Sequence, residues 1–380
     1  MKNEKIKKGT QKKRGKAAGD PNSAVILPPT SLNSQYLQTQ VITQNILQTI
    51  RRIAEYKGKQ DLYKEQSPQV LESLRQAAII QSTESSNRLE GITAPMDRIK
   101  DLVAGKATPR NRSEQEIAGY RNVLNTIHAN HADIPFTTGV VLQFHRDLYQ
   151  FLPAEGGKWK PVDNEITENR PDGSKVVRFH PVPAHRTPEA MEKLHENFDT
   201  LWKSGEIEPL LLIPTYVLDF LCIHPFLDGN GRMARLLTLL LLYKAGYELG
   251  RYISLEQMVE KTKEGYYDSL HASSQGWHEG FHPILPWWEY FLGVMLFGSC
   301  REFERRVGLL TGGRGTKTAM VMDTIGHFRN DFTIREIQEI CPHVGIDLIR
   351  RILRDEKKSG KLECLGRGPS AKWRNREYTQ

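Results

Sequence analysis

Apolar and polar residues alternate along most of this chain with the period of an α-helix. Between residues 31 and 63, aliphatic side chains recur at intervals that place them on one face of a helix. The same pattern returns in several later segments. We expect helices over residues 68–89, 113–130, 138–152, 188–204, 208–222 and 231–245, with more helices up to about residue 310. The pattern therefore predicts a mainly α-helical protein.

One segment breaks the helical pattern. Residues 156–188 are rich in glycine and proline, and the turn sequence "PDG" at 171–173 lies between two short runs of β-prone residues. A turn of this kind between short strands is typical of a β-hairpin. We therefore expect one hairpin within an otherwise helical domain.

Changes in pattern and composition divide the chain into five segments. The first residues lack periodicity and are rich in lysine, glycine, proline and serine, as in disordered tails. A glycine-rich connector, "TGGRGTKT", precedes a smaller C-terminal unit. The expected segments are a tail at 1–30, an N-terminal helical segment at 31–112, a central helical domain at 113–310, a linker at 311–318 and a C-terminal module at 319–380.

The C-terminal module has the predicted element order of a winged helix. Thr333 and Glu336 match a capping box at the start of one helix, and a turn then leads into a second helix. The apolar residues on one face of the second helix are Ile346, Ile349, Ile352 and Leu353. In "LECLGRGPSAKWR", two short strands around a Gly-Pro turn would form the wing.

Composition excludes several classes of protein. The chain has 380 residues, of which 38% are hydrophobic and 26% charged, as in globular proteins. Its apolar runs are shorter than the ~20 residues that a membrane-spanning helix needs, and no apolar leader begins the chain, so we expect neither membrane insertion nor secretion. The four cysteines have no close spacing. We therefore expect no zinc site, no disulfide framework and a cytoplasmic location.

The net charge of +8 is concentrated at the two ends of the chain. A basic C-terminal module suggests contact with DNA through its second helix and wing. The candidate basic residues are Arg350, Arg351, Arg354, Arg367, Lys372 and Arg374. The first turn of the second helix, however, offers Ile346 and Asp347 instead of side chains that read bases. Docking of a target protein, or self-association into a homodimer, is therefore an equal alternative.

The stretch "HPFLDGNGRMARLL", residues 224–237, has the chemistry of an anion receptor. Gly229 and Gly231 allow backbone conformations closed to other residues, so that successive N–H groups can converge on one point. The apolar helix that follows adds unpaired N–H donors and the positive end of its dipole. Arg232 and Arg235 lie three positions apart on this helix, and both can bind phosphate oxygens.

Two further residues add chemistry to this stretch. Asp228 supplies a hard oxygen ligand, as Mg²⁺ bound to phosphates requires. His224 titrates near neutrality and could accept a proton from a hydroxyl. A lone histidine before a proline is usually structural and a Gly-Asn-Gly is usually a turn, but together with both arginines they favour a nucleotide site. Because a helical pattern precedes the loop, the parallel-sheet setting of Rossmann and P-loop motifs is absent.

"HPFLDGNGRMAR" matches every defined position of H-x-F-x-[DE]-G-N-G-R-x-x-R, and the chain thereby resembles Fic-domain proteins over about residues 33–310. The resemblance implies transfer of AMP from ATP to a Tyr, Thr or Ser hydroxyl of a target protein or of the chain itself. His224 would deprotonate that hydroxyl and Asp228 would hold Mg²⁺. The phosphates would contact Gly229, Asn230, Gly231, Arg232 and Arg235.

Other parts of the chain fit the same resemblance. Gly231 stands where Doc-type kinases have lysine, which favours AMP transfer. The hairpin at about 160–182 resembles the flap that aligns target proteins by strand addition. Tyr266 and Tyr267 resemble a tyrosine pair near the adenine pocket, although plain core packing explains them equally well. Thr262 stands where relatives often have asparagine, which puts that part of the base pocket in doubt.

A second motif lies at the end of the helix predicted over 68–89. "SSNRLEGI" matches the family's inhibitory pattern [ST]-x-x-x-E-[GN] through Ser86, Glu90 and Gly91, while an ordinary helix end with a capping glycine is the simpler alternative. The resemblance implies that Glu90 pairs with Arg235 and so inhibits transfer. In some relatives the same glutamate orients water for the removal of AMP.

Two short sequences resemble motifs of other nucleotide-binding proteins, and one other function remains an alternative. "HRDL" at 145–148 imitates a kinase catalytic loop but lacks the asparagine that should follow, and it is interpreted as part of an amphipathic helix. "TGGRGTKT" lacks the residue order of a phosphate loop. The rival to a transferase is a DNA-bound regulator whose Fic domain senses nucleotide and turns over little.

Overall fold

The computed structural model describes residues 31–66, 68–169, 175–311, 316–326, 328, 330–341, 344–366, 368 and 371–376. The predicted tail, the "PDG" turn, residues 312–315 of the predicted linker and Arg367 lie outside these residues. Within them, no helix is long and apolar enough to cross a membrane.

Four helices form the N-terminal segment: α1 (Ser34–Thr39), α2 (Gln44–Gln66), α3 (Pro68–Leu89) and α4 (Met96–Val103). The periodicity between residues 31 and 63 predicted one helix, but the structure breaks it. Gln40 has an extended backbone after α1, and its amide caps the carbonyl of Leu37. Helix α3 has the predicted bounds. Helix α4 is too short for its pattern to have been recognised.

The central region contains nine α-helices among the described residues. They are α5 (Arg112–Asn130), α6 (Thr138–Leu148), α7 (Thr187–Ser204), α8 (Pro209–Ile223), α9 (Asn230–Lys244), α10 (Leu255–Lys261), α11 (Lys263–Ser274), α12 (Leu285–Glu289) and α13 (Phe297–Thr311). A π-helical segment, Tyr290–Leu296, joins α12 to α13. The predicted helices here are all present, with ends shifted by up to four residues.

Helices α8 and α9 form the centre of the hydrophobic core. They pack against each other, and thirteen residues of each are buried, which is why both read as nearly continuous apolar runs. Asp219 is a buried polar residue in α8, and it accepts hydrogen bonds from Trp277 Nε1 at 2.7 Å and the Leu32 amide at 3.3 Å. These bonds satisfy a carboxylate that would otherwise be costly to bury. The loop between α8 and α9 thus connects two buried helices.

The predicted hairpin is present. Strands β1 (Ile166–Asn169) and β2 (Lys175–Phe179) pair antiparallel, with Glu168 opposite Val176 and a register shift between Ile166 and Thr167. Their side chains are exposed or half-buried. The hairpin therefore presents a two-stranded ribbon with free edges to solvent.

The C-terminal module consists of three helices and a small antiparallel sheet. Its elements are α14 (Thr316–Gly326), β3 (Phe332–Thr333), α15 (Ile334–Ile340), α16 (Ile346–Lys358), β4 (Leu362–Leu365) and β5 (Lys372–Asn375), with strand order β3-β5-β4. The capping box at Thr333 and Glu336 is formed. Three of the candidate DNA-binding side chains form ion pairs, Arg374 with Asp331, Lys372 with Asp97 of α4 and Arg350 with Asp347 of its own helix.

Candidate functional site

His224 occupies a left-handed turn at the end of α8. Its φ of 51° and ψ of 61° are the only left-handed values of a non-glycine residue in the described part of the chain. Its amide donates to Phe220 O at 2.9 Å and so caps the helix. This conformation is disfavoured for most residues but is less so for histidine. The turn projects the imidazole away from the helix axis, at the start of the loop to α9.

The ring of His224 is set up as a proton acceptor. Its Nδ1 lies 3.2 Å from Leu221 O, so Nδ1 carries the proton and Nε2 keeps a free lone pair. Burial lowers the pKa of His224 to about 4, against the opposing effect of its contact with Leu221 O. The positive charge of Lys160 lowers this pKa by a smaller amount, and Glu90 and Asp228 raise it slightly. The imidazole is therefore neutral at physiological pH, which a general base requires.

The loop between α8 and α9 is closed by Asn230. The Asn230 side chain accepts from the Phe226 amide at 2.9 Å and donates to Phe226 O at 2.7 Å. Gly229 has a φ of 81° and precedes the first turn of α9, whose N–H groups point out of the helix. Asn230 thus shapes the predicted cradle, and the backbone after Gly229 supplies the donors.

Gly231 serves this cradle for a different reason from the one expected. It lies within the first turn of α9, and its φ is not among the positive values. A Cβ atom at this position would instead come within 2.2 Å of Glu90 Oε1. The conformational argument is therefore correct for Gly229 and wrong for Gly231, where a side chain would instead displace the Glu90 carboxylate.

Asp228 and Arg232 lie together beside the cradle. The Asp228 carboxylate accepts from the Gly229 amide at 2.7 Å and lies 3.6 Å from Arg232 Nη2, while remaining 60% exposed. Burial alone would raise the pKa of Asp228, but Arg232 and its other neighbours lower it overall. Asp228 is therefore an ionised oxygen donor open to solvent, as a magnesium ligand must be.

The two predicted phosphate-binding arginines extend toward different helices. Arg232 is 1% exposed and donates to Glu116 Oε2 of α5 at 2.7 Å, and its Nε has no partner in the described structure. Arg235 extends toward α3. A buried guanidinium with a spare N–H donor is one observation that fits an additional anion at this site.

Helix α3 brings the second motif onto Arg235. Arg235 Nη2 donates to Glu90 Oε1 at 2.7 Å and to Ser86 O at 2.8 Å, and its Nε donates to Ser86 Oγ at 2.8 Å. Burial alone would lower the pKa of Arg235, but the carboxylate of Glu90 raises it well above its usual range. The predicted Glu90–Arg235 contact is thus present, and it occupies the guanidinium expected to bind phosphate.

The end of α3 is fixed in place by its own turn and by α10. Gly91 has a φ of 77° and terminates the helix, as its capping role predicts. Ser85 Oγ donates to Glu260 Oε2 at 2.7 Å, and Arg88 donates to Glu260 Oε1 at 2.8 Å. Glu260 of α10 therefore holds the helix that carries Glu90.

The tyrosine pair divides between core and site. Tyr266 is buried, with its ring 5.7 Å from that of Trp287, so core packing accounts for it. Tyr267 is 43% exposed, and the charges of Glu90 and Arg235 act on its hydroxyl. Thr262 donates to Met258 O and contacts the Tyr290 hydroxyl at 2.8 Å. Of the two tyrosines, only Tyr267 is exposed enough for a ligand to contact its ring.

Sequence reasoning missed the residues that support the loop from outside. His145, in the segment interpreted as an amphipathic helix, stacks on Phe226 at 3.7 Å and accepts from the Gly157 amide at 2.9 Å. Its Nε2 then donates to Asp228 O at 3.2 Å. Lys160 is also buried against the loop. The motif itself carried no signal for either residue, because both act from distant parts of the chain.

The loop contributes one carboxylate, that of Asp228, whereas a metal site formed by protein side chains alone needs several ligands. Among the described residues, no group of three or more His, Cys, Asp or Glu side chains could hold a metal ion. Mg²⁺ differs because it is often held by one or two carboxylates together with substrate phosphates. The Asp228 carboxylate and the spare Nε of Arg232 fit Mg²⁺ bound with a phosphate chain.

Residues 135–242, which include the loop and both flanking helices, match the Fic/DOC family. The chain is 26% identical over 228 residues to the protein adenylyltransferase Fic of Drosophila yakuba, with 57% of this chain and 43% of that protein covered. It is 25% identical over 228 residues to the protein of the same name from Drosophila melanogaster. The chain therefore spans less than half the length of these curated relatives.

Solved structures share the fold. A Fic family protein from Desulfovibrio desulfuricans G20 has a TM-score of 0.57 and 22% identity, covering 88% of this chain and 97% of that one. A Fic domain-containing signaling protein from Bacteroides thetaiotaomicron has a TM-score of 0.55 and 22% identity, with 70% and 98% covered. At such identities the likeness concerns the fold alone.

Proposed function

Since the chain contains a Fic domain, we propose that it is a protein adenylyltransferase, which transfers AMP from MgATP to hydroxyl groups of target proteins and of itself. The observation that carries this proposal is the placement of a neutral, half-buried imidazole at residue 224 directly before an anion cradle at the N-terminus of α9. The test is covalent label on the protein after incubation with labelled ATP and Mg²⁺, absent when the metal is chelated.

The proposed reaction begins at His224. Its unprotonated Nε2 takes the proton of the target hydroxyl, and the oxygen then attacks the α-phosphorus of ATP. A bond forms between that oxygen and the α-phosphorus, and the bond from the α-phosphorus to the bridging oxygen breaks, releasing pyrophosphate. The proton held on His224 is afterwards passed to solvent. No step needs an oxidant or a covalent intermediate on the enzyme.

The phosphate chain would be held by the backbone of the loop and by α9. The N–H groups after Gly229 and the positive end of the α9 dipole attract the phosphate oxygens. Arg232 offers its unpartnered Nε from the buried side, and Asp228 would hold Mg²⁺ from the solvent side. When bound, Mg²⁺ neutralises charge on the phosphates.

Inhibition by the end of α3 forms part of this proposal. While Glu90 and Ser86 accept from the Nε and Nη2 groups of Arg235, those donors cannot bind a phosphate. Glu90 Oε1 also lies against Gly231, so its negative charge stands at the anion cradle. ATP would then bind only in an unreactive position. Removal of AMP from modified targets, with Glu90 orienting a water, is a further proposed activity.

The hold of Glu260 on α3 leads to a separate prediction. Glu260→Gln keeps the shape of the side chain but removes the charge that faces Arg88 and Ser85. We expect AMP transfer to rise by roughly threefold to tenfold, because a hydrogen bond to a neutral group contributes about 0.5–1.5 kcal/mol and one to a charged group about 1.5–3 kcal/mol. Initial rates with labelled ATP would measure this. Glu304→Gln is the matched control. Glu304 of α13 also joins two helices, because it contacts the Tyr56 hydroxyl and Lys59 of α2. Equal rates for the two variants would contradict the prediction.

Target proteins would dock on the hairpin. Its two strands have exposed edges and lie in the same segment of chain as the residues that contact the catalytic loop. An extended target segment adding to such an edge would be aligned by backbone hydrogen bonds. Substitution of Val177, an exposed residue of β2, by proline would remove an edge donor and should reduce target modification more than self-modification.

The rival proposal, a DNA-bound regulator, concerns the C-terminal module. Arg350, Arg351 and Arg354 are exposed on α16 and could contact phosphates, although Arg350 also pairs with Asp347. Lys372 and Arg374 form ion pairs with other elements. Salt-dependent retention on DNA that is lost when the three α16 arginines become alanine would support this proposal. Retention unaffected by these substitutions would count against it.

A further inference from the structure

Four successive carbonyl groups around His224 face one short segment of chain. The segment is residues 160–164, "KPVDN", which we call the strap. Lys160 Nζ donates to Ile223 O at 3.1 Å, and the Lys160 amide donates to Pro225 O at 2.8 Å. Asn164 Nδ2 lies 3.5 Å from His224 O and donates to Phe226 O at 3.0 Å. The strap thus satisfies the backbone of the turn from end to end.

Lys160 is an unusual component of this arrangement. Lys160 is only 2% exposed, and its ammonium group also donates to Asn164 Oδ1 at 2.8 Å. Burial lowers its pKa to about 8, so most of it is still charged at neutral pH. A buried cation beside the carboxyl end of α8 interacts favourably with the helix dipole. It also satisfies a helix-end carbonyl that has no partner within the helix.

The strap also fixes the base of the hairpin. Asp163 Oδ1 accepts from the Ala184 amide at 2.6 Å, which joins the chain before β1 to the chain after β2. Strand β1 begins two residues after Asn164. The same five residues therefore hold the turn of His224 on one side and the hairpin on the other.

From this geometry we propose that Lys160 and Asn164 are positioning residues, which hold His224 in its left-handed conformation and align it with the hairpin where the target docks. This inference rests on the proposed function and extends it. The left-handed turn is costly for a non-glycine residue, so it persists only where surrounding contacts determine it. Neither strap residue touches the reacting atoms. Each acts through the backbone of residues 223–226.

The charges around His224 define what the loss of Lys160 should do. Lys160 of the strap, Glu90 at the end of α3 and Asp228 of the loop are the charged groups that act on the ring. Lys160 is the only cation among these three. Its removal leaves the carboxylates unopposed, and Asp228 alone in a Glu90→Gly background, so the imidazole should hold a proton to a higher pH.

The test compares Lys160→Met with Lys244→Met, both in a Glu90→Gly background. Lys244 is a matched control, because its Nζ also donates to backbone carbonyls, those of Ile134 and His131, in a distant loop. We expect Lys160→Met to lower kcat by about 10- to 100-fold, since small misplacement of a reacting group has effects of this size. The KM for ATP should stay unchanged, and Lys244→Met should match its parent.

Two further readouts separate positioning from a general loss of fold. NMR titration of the His224 ring should show a higher pKa in Lys160→Met and an unchanged one in Lys244→Met. Lys160→Arg, which keeps the cation, should recover at least part of kcat. Asn164→Ala should also lower kcat while leaving the pKa of His224 closer to its parent value.

The outcomes decide the proposal in either direction. Unchanged kcat in Lys160→Met, or a fall in kcat without any change in the His224 titration, would overturn it. If the Glu90→Gly parent itself transfers no AMP, the proposed function fails, and the His224 titration alone then decides whether the strap controls the ring.

Discussion

Glu90→Gly is expected to raise AMP transfer by about 10- to 100-fold, both onto the chain itself and onto a target. The contact between Glu90 and Arg235 is 2.7 Å long, and Glu90 lies directly over Gly231. Removing the carboxylate frees a buried guanidinium for phosphate and takes a negative charge away from the anion cradle. Coupling between an inhibitory contact and a ligand typically amounts to about 1–3 kcal/mol, which corresponds to this range.

Initial rates of label incorporation from ATP would measure the effect, with Glu72→Gly as the matched control. Glu72 is an exposed glutamate of the same helix, near its other end, and pairs only with its neighbours Arg75 and Gln76 in the described structure. The same glycine substitution there tests whether loosening α3 alone is sufficient. Rates equal to wild type in Glu90→Gly would rule out inhibition by this contact.

Glu90 also allows the removal of AMP to be tested separately. If Glu90 orients a water for hydrolysis, Glu90→Gln should slow release of AMP from a modified target while still occupying the space above Gly231. Purified modified target incubated with each variant, followed by mass spectrometry, measures this. Undiminished release by Glu90→Gln would count against the second activity.

His224→Ala has the second large expected effect, a loss of AMP transfer of about 10²- to 10⁴-fold, the contribution that a positioned general base makes. The ring is neutral above its pKa of about 4, and its Nε2 has no hydrogen bond in the described structure. Because the base form is present above that pKa, the rate of the unsubstituted enzyme should fall only as the pH approaches about 4.

The loss must be separated from disturbance of the left-handed turn. His224→Asn provides this control, because asparagine also tolerates left-handed backbone but cannot act as a base near neutrality. Both variants should bind nucleotide and unfold at temperatures close to wild type. An active His224→Asn variant would mean that the turn matters and the imidazole does not.

The sequence predicted the local parts of this structure well. Helix α3 and the hairpin follow from periodicity and turn residues, and the end of α3 follows from its capping glycine, Gly91. Such features depend on residues close together in the chain. Periodicity failed between α1 and α2, where Gln40 leaves the helix although the apolar spacing continues across the break.

Features that depend on distant contacts could not be predicted. Gly231 does not have a positive φ. The space that a side chain would fill there is taken by the carboxylate of Glu90, 141 residues earlier in the chain. The opposite directions of Arg232 and Arg235 depend on where α5 and α3 pack. Lys160 and His145 contact the loop between α8 and α9 from segments that the sequence predicts only as part of a hairpin and as part of an amphipathic helix.

The central claim is that the loop before α9 holds a triphosphate so that His224 can direct a hydroxyl to its α-phosphorus. The most direct measurement compares ATP labelled at the α-phosphate with ATP labelled at the γ-phosphate, in Glu90→Gly and in Glu90→Gly/His224→Ala. We expect covalent label from the α-phosphate alone, and only while His224 is present. Label from the γ-phosphate, or α-label that persists without His224, would contradict this account.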